Sequence, residues 1–143
     1  MTIETILSKK GREVVTVTGS QTVLEAVHIL VENNIGGLVV VDGARPVGIL
    51  TERDVLRLTD ESAGALGQIL VRDAMTTDLV TATPKDDLRH MMDVMTENRI
   101  RHLPVLEGET LVGIVSIGDL VNALRVSVES ENIHLRQYIQ GAG

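Results

Sequence analysis

Two stretches of this chain place a hydroxyl three residues ahead of a carboxylate, Thr51-Glu52-Arg53-Asp54 and Ser116-Ile117-Gly118-Asp119. Each follows an apolar run that opens on glycine, Gly48-Ile49-Leu50 in one case and Gly113-Ile114-Val115 in the other, which predicts a strand running into a helix. Two chemistries suit that junction. In the first, the hydroxyl is an N-cap and the aspartate completes a capping box, which is ordinary helix-starting chemistry. In the second, the same geometry takes a ligand. A carboxylate beside free backbone N–H groups accepts both hydrogen bonds of a ribose diol, while the hydroxyl and the helix N-terminus hold a phosphate. Gly48 and Gly113 would then let the ligand come close to the backbone.

A second group of candidates is Asn98-Arg99-Ile100-Arg101-His102-Leu103-Pro104, with three potential cations in four residues. Such a charge run is usually a solvated loop. Pro104 and Val105 head for the core, however, so at least one of these side chains is pinned near a cleft, and the planar fork of an arginine suits phosphate. The comparable upstream stretch, Asn33-Asn34-Ile35-Gly36-Gly37-Leu38, has no cation. The two sites are therefore predicted to differ, with an anionic group held mainly by the second.

What positions these residues is a duplication. Residues 14–56 lie over 79–121 without a gap, matching Gly48 with Gly113, Glu32-Asn33 with Glu97-Asn98, and Val40, Gly43 and Val47 with Val105, Gly108 and Val112. A duplicated unit usually packs on its own copy and leaves two similar clefts. Each copy parses as a strand (Val14–Val17, Leu79–Ala82), a helix, a hairpin (Leu38–Val41 with Val47–Leu50, Leu103–Leu106 with Leu111–Val115) and a second helix from Thr51 or Ser116. Val23, Ala26, Val27, Leu30 and Val31 form one helical stripe, matched by Leu88, Met91, Met92 and Met95. Thr22-x-x-Glu25 and Asp87 are the predicted caps. Thr59 to Gly67 reads as a linker. Ile6 to Lys10 and Val71 to Met75 read as lead-ins at the same spacing as the rest of the duplication. Beyond Asp119 the pattern stays helical to about Ile139, with Val121, Leu124, Val128, Leu135 and Tyr138 near heptad spacing and Glu131 breaking the seam. That helix either joins an interface or docks on its own domain.

Composition narrows the classes. The chain has 143 residues, 43% of them apolar and 23% charged, enough for one ordinary globular domain that buries about 70% of its extended-chain surface. With no Phe or Trp, the core must be aliphatic, its gaps filled by methionine thioethers. A net charge of −7 argues against nonspecific nucleic-acid binding, which needs many cations and stacking aromatics. The absence of cysteine excludes disulfides, thiolate nucleophiles and Cys-ligated zinc. Neither a signal peptide nor an apolar run of about 20 residues is found, so a cytoplasmic protein without membrane insertion is expected.

Enzyme signatures fail when checked. Gly113 to Gly118 has P-loop glycine spacing but continues as Asp119-Leu120 where Lys and a hydroxyl are required. There is no Gly-x-Gly-x-x-Gly, and Ser116 does not sit in a Gly-x-Ser-x-Gly elbow. His28, His90, His102 and His134 have no metal-binding spacing, and no nucleophile–base pair emerges. The expectation is no catalytic residue, no metal and no enzymatic activity.

Two β-α-β-β-α units, each ending Gly-Ile-(Leu/Val)-(Thr/Ser)-x-x-Asp, together with Ile100-Arg101-His102-Leu103-Pro104-Val105 in the second, closely resemble a tandem pair of CBS domains, the modules named after cystathionine β-synthase. The resemblance covers about Ile6 to Leu124. It implies an α+β fold of two repeats related by a pseudo-twofold, with small sheets packed together and a C-terminal helix. The expected division is residues 1–66 for the first repeat with its lead-in and linker, 67–124 for the second, and 125–143 for a helical tail. The resemblance also implies a regulatory module that binds AMP, ADP, ATP or NAD(H) rather than using a catalytic cofactor. S-adenosylmethionine, or no nucleotide at all, are the alternatives. Carried over by position, Asp54 and Asp119 would hold ribose hydroxyls, and Thr51 and Ser116 ribose or phosphate, with Arg53 and Gly118 between them in the site. Thr16 and Thr81, with Val17 and Ala82, would meet the adenine edge through the strand backbone. Ile35, Gly36, Gly37 and Leu38 would line one base pocket and Ile100 to Leu103 the other, with Pro104 beside it among the ligand-binding residues. Arg99, Arg101 and His102 would be the phosphate candidates. The resemblance further implies a homodimer of pairs and a regulated protein as partner.

Overall fold

The computed structural model describes residues 1–142, and the side chains of residues 130, 134 and 136–142 lie outside the described set. The chain forms α1 (Ile3–Lys10), β1 (Thr16–Thr18), α2 (Val23–Asn33), β2 (Gly37–Asp42), β3 (Arg45–Thr51) and α3 (Glu52–Glu61). After a 3-10 turn at Leu66–Gln68 come α4 (Val71–Ala74), α5 (Leu88–Asn98), β4 (His102–Glu107), β5 (Thr110–Ser116) and α6 (Ile117–Ala142). β1 runs parallel to β2 and β2 antiparallel to β3, while β4 and β5 make an antiparallel hairpin. Both hairpins carry an irregularity at the same place, between Val40 and Val41 and between Val105 and Leu106.

The predicted caps form: Thr22 accepts from the Glu25 N–H, and Asp87 from the His90 N–H. Val23, Ala26 and Leu30 of α2, like Leu88, Met91 and Met95 of α5, face the two cores. Both helices stop on a left-handed residue, Asn34 at φ 51° and Arg99 at φ 54°. Asparagine tolerates that region better than arginine. Arg99→Gly should therefore stabilise the fold by about 1 kcal/mol, a rise of about 2–4 °C in thermal midpoint that differential scanning calorimetry would register.

The second copy's first strand does not form as predicted. Only Ala82 bridges to Val105, giving its N–H to the Pro104 carbonyl and accepting from the Leu106 N–H. Two prolines explain this. In the first copy the ladder extends to Thr16↔Val39 and Thr18↔Val41. The residues that would extend the second ladder, Pro104 and Pro84, stand where the first copy has Val39 and Gly19 and have no N–H to give.

The lead-ins also depart from the predicted spacing. The Ile3 N–H bonds to the Asp86 carbonyl and the Glu4 N–H to that of Pro84, as Val71 bonds to Gln21 and Arg72 to Gly19. Ile3 therefore corresponds to Val71, 68 residues on, whereas the β-hairpins repeat at 65. The pairing is also crossed. Ile3, Ile6 and Leu7 belong to the core of the second copy, with Leu88, Met95, Leu103 and Val115, while Val71 and Ala74 belong to that of the first, with Val17, Leu38 and Leu50. Each copy is thus closed by the other's lead-in. β3 and β5 meet where the two copies pack.

Along α6, Ile117, Leu120, Ala123 and Leu124 pack against the second core, whereas Val121, Val128 and Leu135 are exposed, so the first turns dock on their own domain and most of the predicted seam does not. The side chain of Tyr138, the last position of the predicted seam, lies outside the described set.

Candidate functional site

At both strand-to-helix junctions the aspartate folds back on its own helix start. The Thr51 N–H and hydroxyl donate to Asp54 Oδ2 at 3.0 and 3.1 Å, and the Asp54 N–H returns a bond to Thr51 Oγ1 at 3.4 Å. In the second copy the Ser116 N–H donates to Asp119 Oδ2 at 2.8 Å and the Asp119 N–H to Ser116 Oγ at 3.2 Å. The capping chemistry is therefore present in both copies, and in both it uses Oδ2. Among the described residues Asp119 Oδ1 has no hydrogen-bond partner, and Asp54 Oδ1 has only Arg57 at 3.7 Å.

The loops beside these junctions are tied to them in the same way. The Glu52 N–H bonds to the Gly36 carbonyl at 3.0 Å, and the Ile117 N–H to the Arg101 carbonyl at 2.8 Å. These bonds bring Gly36 to Thr51 and Arg101 to Ser116, so the two candidate groups of each copy form one site. The sequence missed a further member. Lys10, at the end of α1, places Nζ 2.6 Å from Asp119 Oδ2. Burial pushes the Asp119 carboxyl up, but the hydrogen bonds from Lys10 and Ser116 outweigh it and hold the group below its ordinary range. The stabilisation this ion pair adds is thus complete above the ordinary carboxylate range and is lost only as pH falls through the depressed value. A basic last turn in α1 was visible in the sequence, but nothing there ties Lys10 to a residue 109 positions away.

The mismatch between Gly36-Gly37 and Arg101-His102 has a packing cause. A Cβ on Gly37 would sit 3.1 Å from His102 Cγ, and one on Gly36 would sit 3.2 Å from His102 Nε2 and collide with Glu52. The His102 ring therefore fills the space that the two glycines leave, across the join between copies. Burial lowers its pKa below the ordinary histidine range, and Nδ1 is enclosed without a hydrogen-bond partner among the described residues. Burial thus disfavours the charged ring, and Arg99 and Arg101, both exposed, are the permanent cations of the predicted three.

Other expectations are corrected too. Gly48 and Gly113 do not open the backbone to a ligand. A Cβ on Gly48 would lie 2.5 Å from Met75 Sδ and one on Gly113 2.6 Å from Leu7 Cδ2, so the crossed lead-ins occupy that space. Leu38 and Leu103 have no exposed surface and face the cores, and Pro104 is buried, so none of these side chains lines a pocket. Ala82 spends its N–H and C=O on β4, and Val17 is paired with Val40 in the same register. Adenine contact through the backbone would fall to Thr16 and Thr81, which are exposed. Ile35 and Ile100 are half-buried, and Arg53 and Gly118 are exposed on the first turns of α3 and α6. A groove of about 690 Å³ between α2 and α3 takes in Ile35, Arg53 and Leu56 but neither aspartate, so it is a separate surface.

Comparison with known proteins accounts for this arrangement. The family model for the CBS domain matches twice, over residues 4–61 and 71–126. The mitochondrial CBS domain-containing protein CBSX3 of Arabidopsis thaliana is 37% identical over 98% of this chain and 72% of its own length. A putative signal-transduction protein with CBS domains from Burkholderia ambifaria superposes with a TM-score of 0.83 at 38% identity, over 87% of this chain and 93% of that one. A CBS domain pair crystallised with 5′-methylthioadenosine and S-adenosyl-L-methionine superposes with a TM-score of 0.79 at 26% identity, over 89% of this chain and 98% of that one. No helix among the described residues is long and apolar enough to cross a membrane. With two matched repeats, each completed by the other's lead-in, the chain belongs to the CBS domain family as a tandem pair.

Proposed function

We propose that this pair is a non-enzymatic regulatory module that binds an adenosine-containing nucleotide, AMP, ADP, ATP or NAD(H), at the Thr51/Asp54 and Ser116/Asp119 junctions, and passes the bound state to a protein partner. The observation that carries this reading is the twin junction itself. Each aspartate caps its helix through Oδ2 and presents Oδ1 with no hydrogen bond among the described residues, so the carboxylate can take up a ribose diol beside a helix N-terminus suited to phosphate. Thr16, on the edge strand β1, and Thr81, in the extended chain before Ala82, are exposed and offer backbone to the base. Binding becomes regulation only if the ligand favours one packing of the copies over another, and the join at Gly36, Gly37, Glu52 and His102 lies next to both junctions. A homodimer accords with the exposed Val31 and Leu56 of the α2/α3 face and the exposed apolar side chains of α6.

The test is mass spectrometry of small molecules released on denaturing the purified chain, followed by thermal unfolding with each nucleotide. Ligand at 100 times its Kd should add about 2.7 kcal/mol per site. An absence of any shift with the nucleotides and with S-adenosyl-L-methionine would mean a purely structural pair. The related pair crystallised with 5′-methylthioadenosine and S-adenosyl-L-methionine favours a second reading, in which S-adenosyl-L-methionine is the ligand. A shift with it, and none with AMP, ATP or NADH, would establish that reading instead.

A further inference from the structure

Lys10 has no counterpart in the first copy. The second lead-in turns to extended chain at Met75 and bridges from Thr76 to Ile49, and its residues Met75-Thr76-Thr77-Asp78 carry no cation. α1 by contrast runs on to Lys10 and delivers an ammonium to Asp119. Asp119 Oδ2 already accepts from the Ser116 N–H at 2.8 Å and from Lys10 at 2.6 Å. A ribose diol that engages both carboxylate oxygens needs Oδ2, and of its two present donors only Lys10 sits on a flexible stem. The Lys10 side chain is 37% exposed, so it is free to swing, whereas the Ser116 N–H is fixed at the end of β5.

We propose that Lys10 is a specificity-determining residue of the second-copy site, exchanging Asp119 for the ligand's phosphate and so selecting phosphorylated adenosine compounds over neutral ones. A nucleotide that takes the carboxylate returns a phosphate to the ammonium, and the ion pair is replaced by another. An unphosphorylated nucleoside breaks the pair and gives Lys10 nothing but water. The exposed Arg101, whose carbonyl is bonded to the Ile117 N–H, stands at the same helix N-terminus as a second cation for that phosphate. In the first-copy site Thr51 rather than a lysine donates to Asp54 Oδ2, and the cation there, Arg57, stands 3.7 Å from Oδ1, outside hydrogen-bond reach.

The inference rests on the nucleotide-binding reading above, and the test separates the two. AMP and adenosine are titrated calorimetrically into the full chain, Lys10→Met, Lys10→Gln and Lys10→Arg, each first shown to unfold cooperatively. The first-copy site is silenced by Asp54→Asn in every sample. Expected is a preference for AMP over adenosine that falls about tenfold or more in the Met and Gln variants, mainly through weaker AMP binding, and returns in Lys10→Arg. An unchanged preference in Lys10→Met and Lys10→Gln, with wild-type Lys10 still binding AMP, overturns the role of Lys10 alone. Failure of both ligands to bind with Lys10 intact overturns the nucleotide reading and this inference together.

Discussion

Asp119→Asn should raise the Kd for nucleotide at the second-copy site about 10–150-fold while leaving the fold intact. The amide keeps an acceptor oxygen for the Ser116 N–H, and the Asp119 N–H still reaches Ser116 Oγ, so the cap of α6 survives. What disappears is the charge. A hydrogen bond to a charged group contributes about 1.5–3 kcal/mol, and an amide oxygen cannot match a carboxylate as acceptor for a diol. The Lys10 ion pair lost with it is partly exposed on both sides and contributes at most about 1 kcal/mol to stability. Titration calorimetry and thermal unfolding on the same protein therefore separate the two readings of the junction. Loss of affinity with a nearly unchanged midpoint assigns the carboxylate to the ligand. Unchanged affinity would leave Asp119 as a cap and nothing more.

Gly113→Ala should destabilise the fold by pressing β5 against α1. The glycine is buried, and the added methyl would lie 2.6 Å from Leu7 Cδ2 and 3.3 Å from Leu7 Cδ1. Its φ is not in the left-handed region, so the effect comes from overpacking against α1, a loss of about 1–3 kcal/mol. Leu7→Ala alone opens a cavity worth about 2–5 kcal/mol. Together the two should be less harmful than their sum, because the new methyl enters the space that leucine leaves, giving a coupling of about 0.5–3 kcal/mol in a double-mutant cycle. Strict additivity in urea unfolding would mean that α1 is not pressed against β5. Gly48→Ala meets Met75 Sδ at 2.5 Å and the backbone carbonyl of Thr76 at 3.1 Å, so it should cost a comparable amount.

The sequence made the repeated strands and helices legible wherever local patterning dictates structure. The stripes of α2 and α5, the caps at Thr22 and Asp87, and both hairpins follow from periodicity and from short-range hydrogen bonding. The failed strand before Pro84 was legible in principle, since a missing N–H is a property of one residue, but it required knowing which ladder bonds Pro84 and Pro104 would have to make. The site was read half correctly for a related reason. The hydroxyl–carboxylate junctions are local and were found, whereas Lys10 on Asp119, Leu7 on Gly113 and His102 on Gly37 are contacts across the chain. Gly36-Gly37 against Arg101-His102 looked like a difference between two ligand sites. It is also one shape fitted into another, with a ring in one copy seated on bare backbone in the other.

The crossed lead-ins set a timetable for synthesis. The first core is complete once Met75 has been made, since everything it buries lies between Val15 and Met75. The second core needs Ile3, Ile6 and Leu7 together with Val115 and Leu120, residues more than a hundred positions apart. At about 5–20 residues per second, α1 must wait on the order of ten seconds on the ribosome with its apolar face unpaired. A chaperone that holds nascent chains therefore has one segment to guard, Ile3 to Leu7, and shielding it until Leu120 emerges would do most to keep two newborn chains from closing each other's second halves.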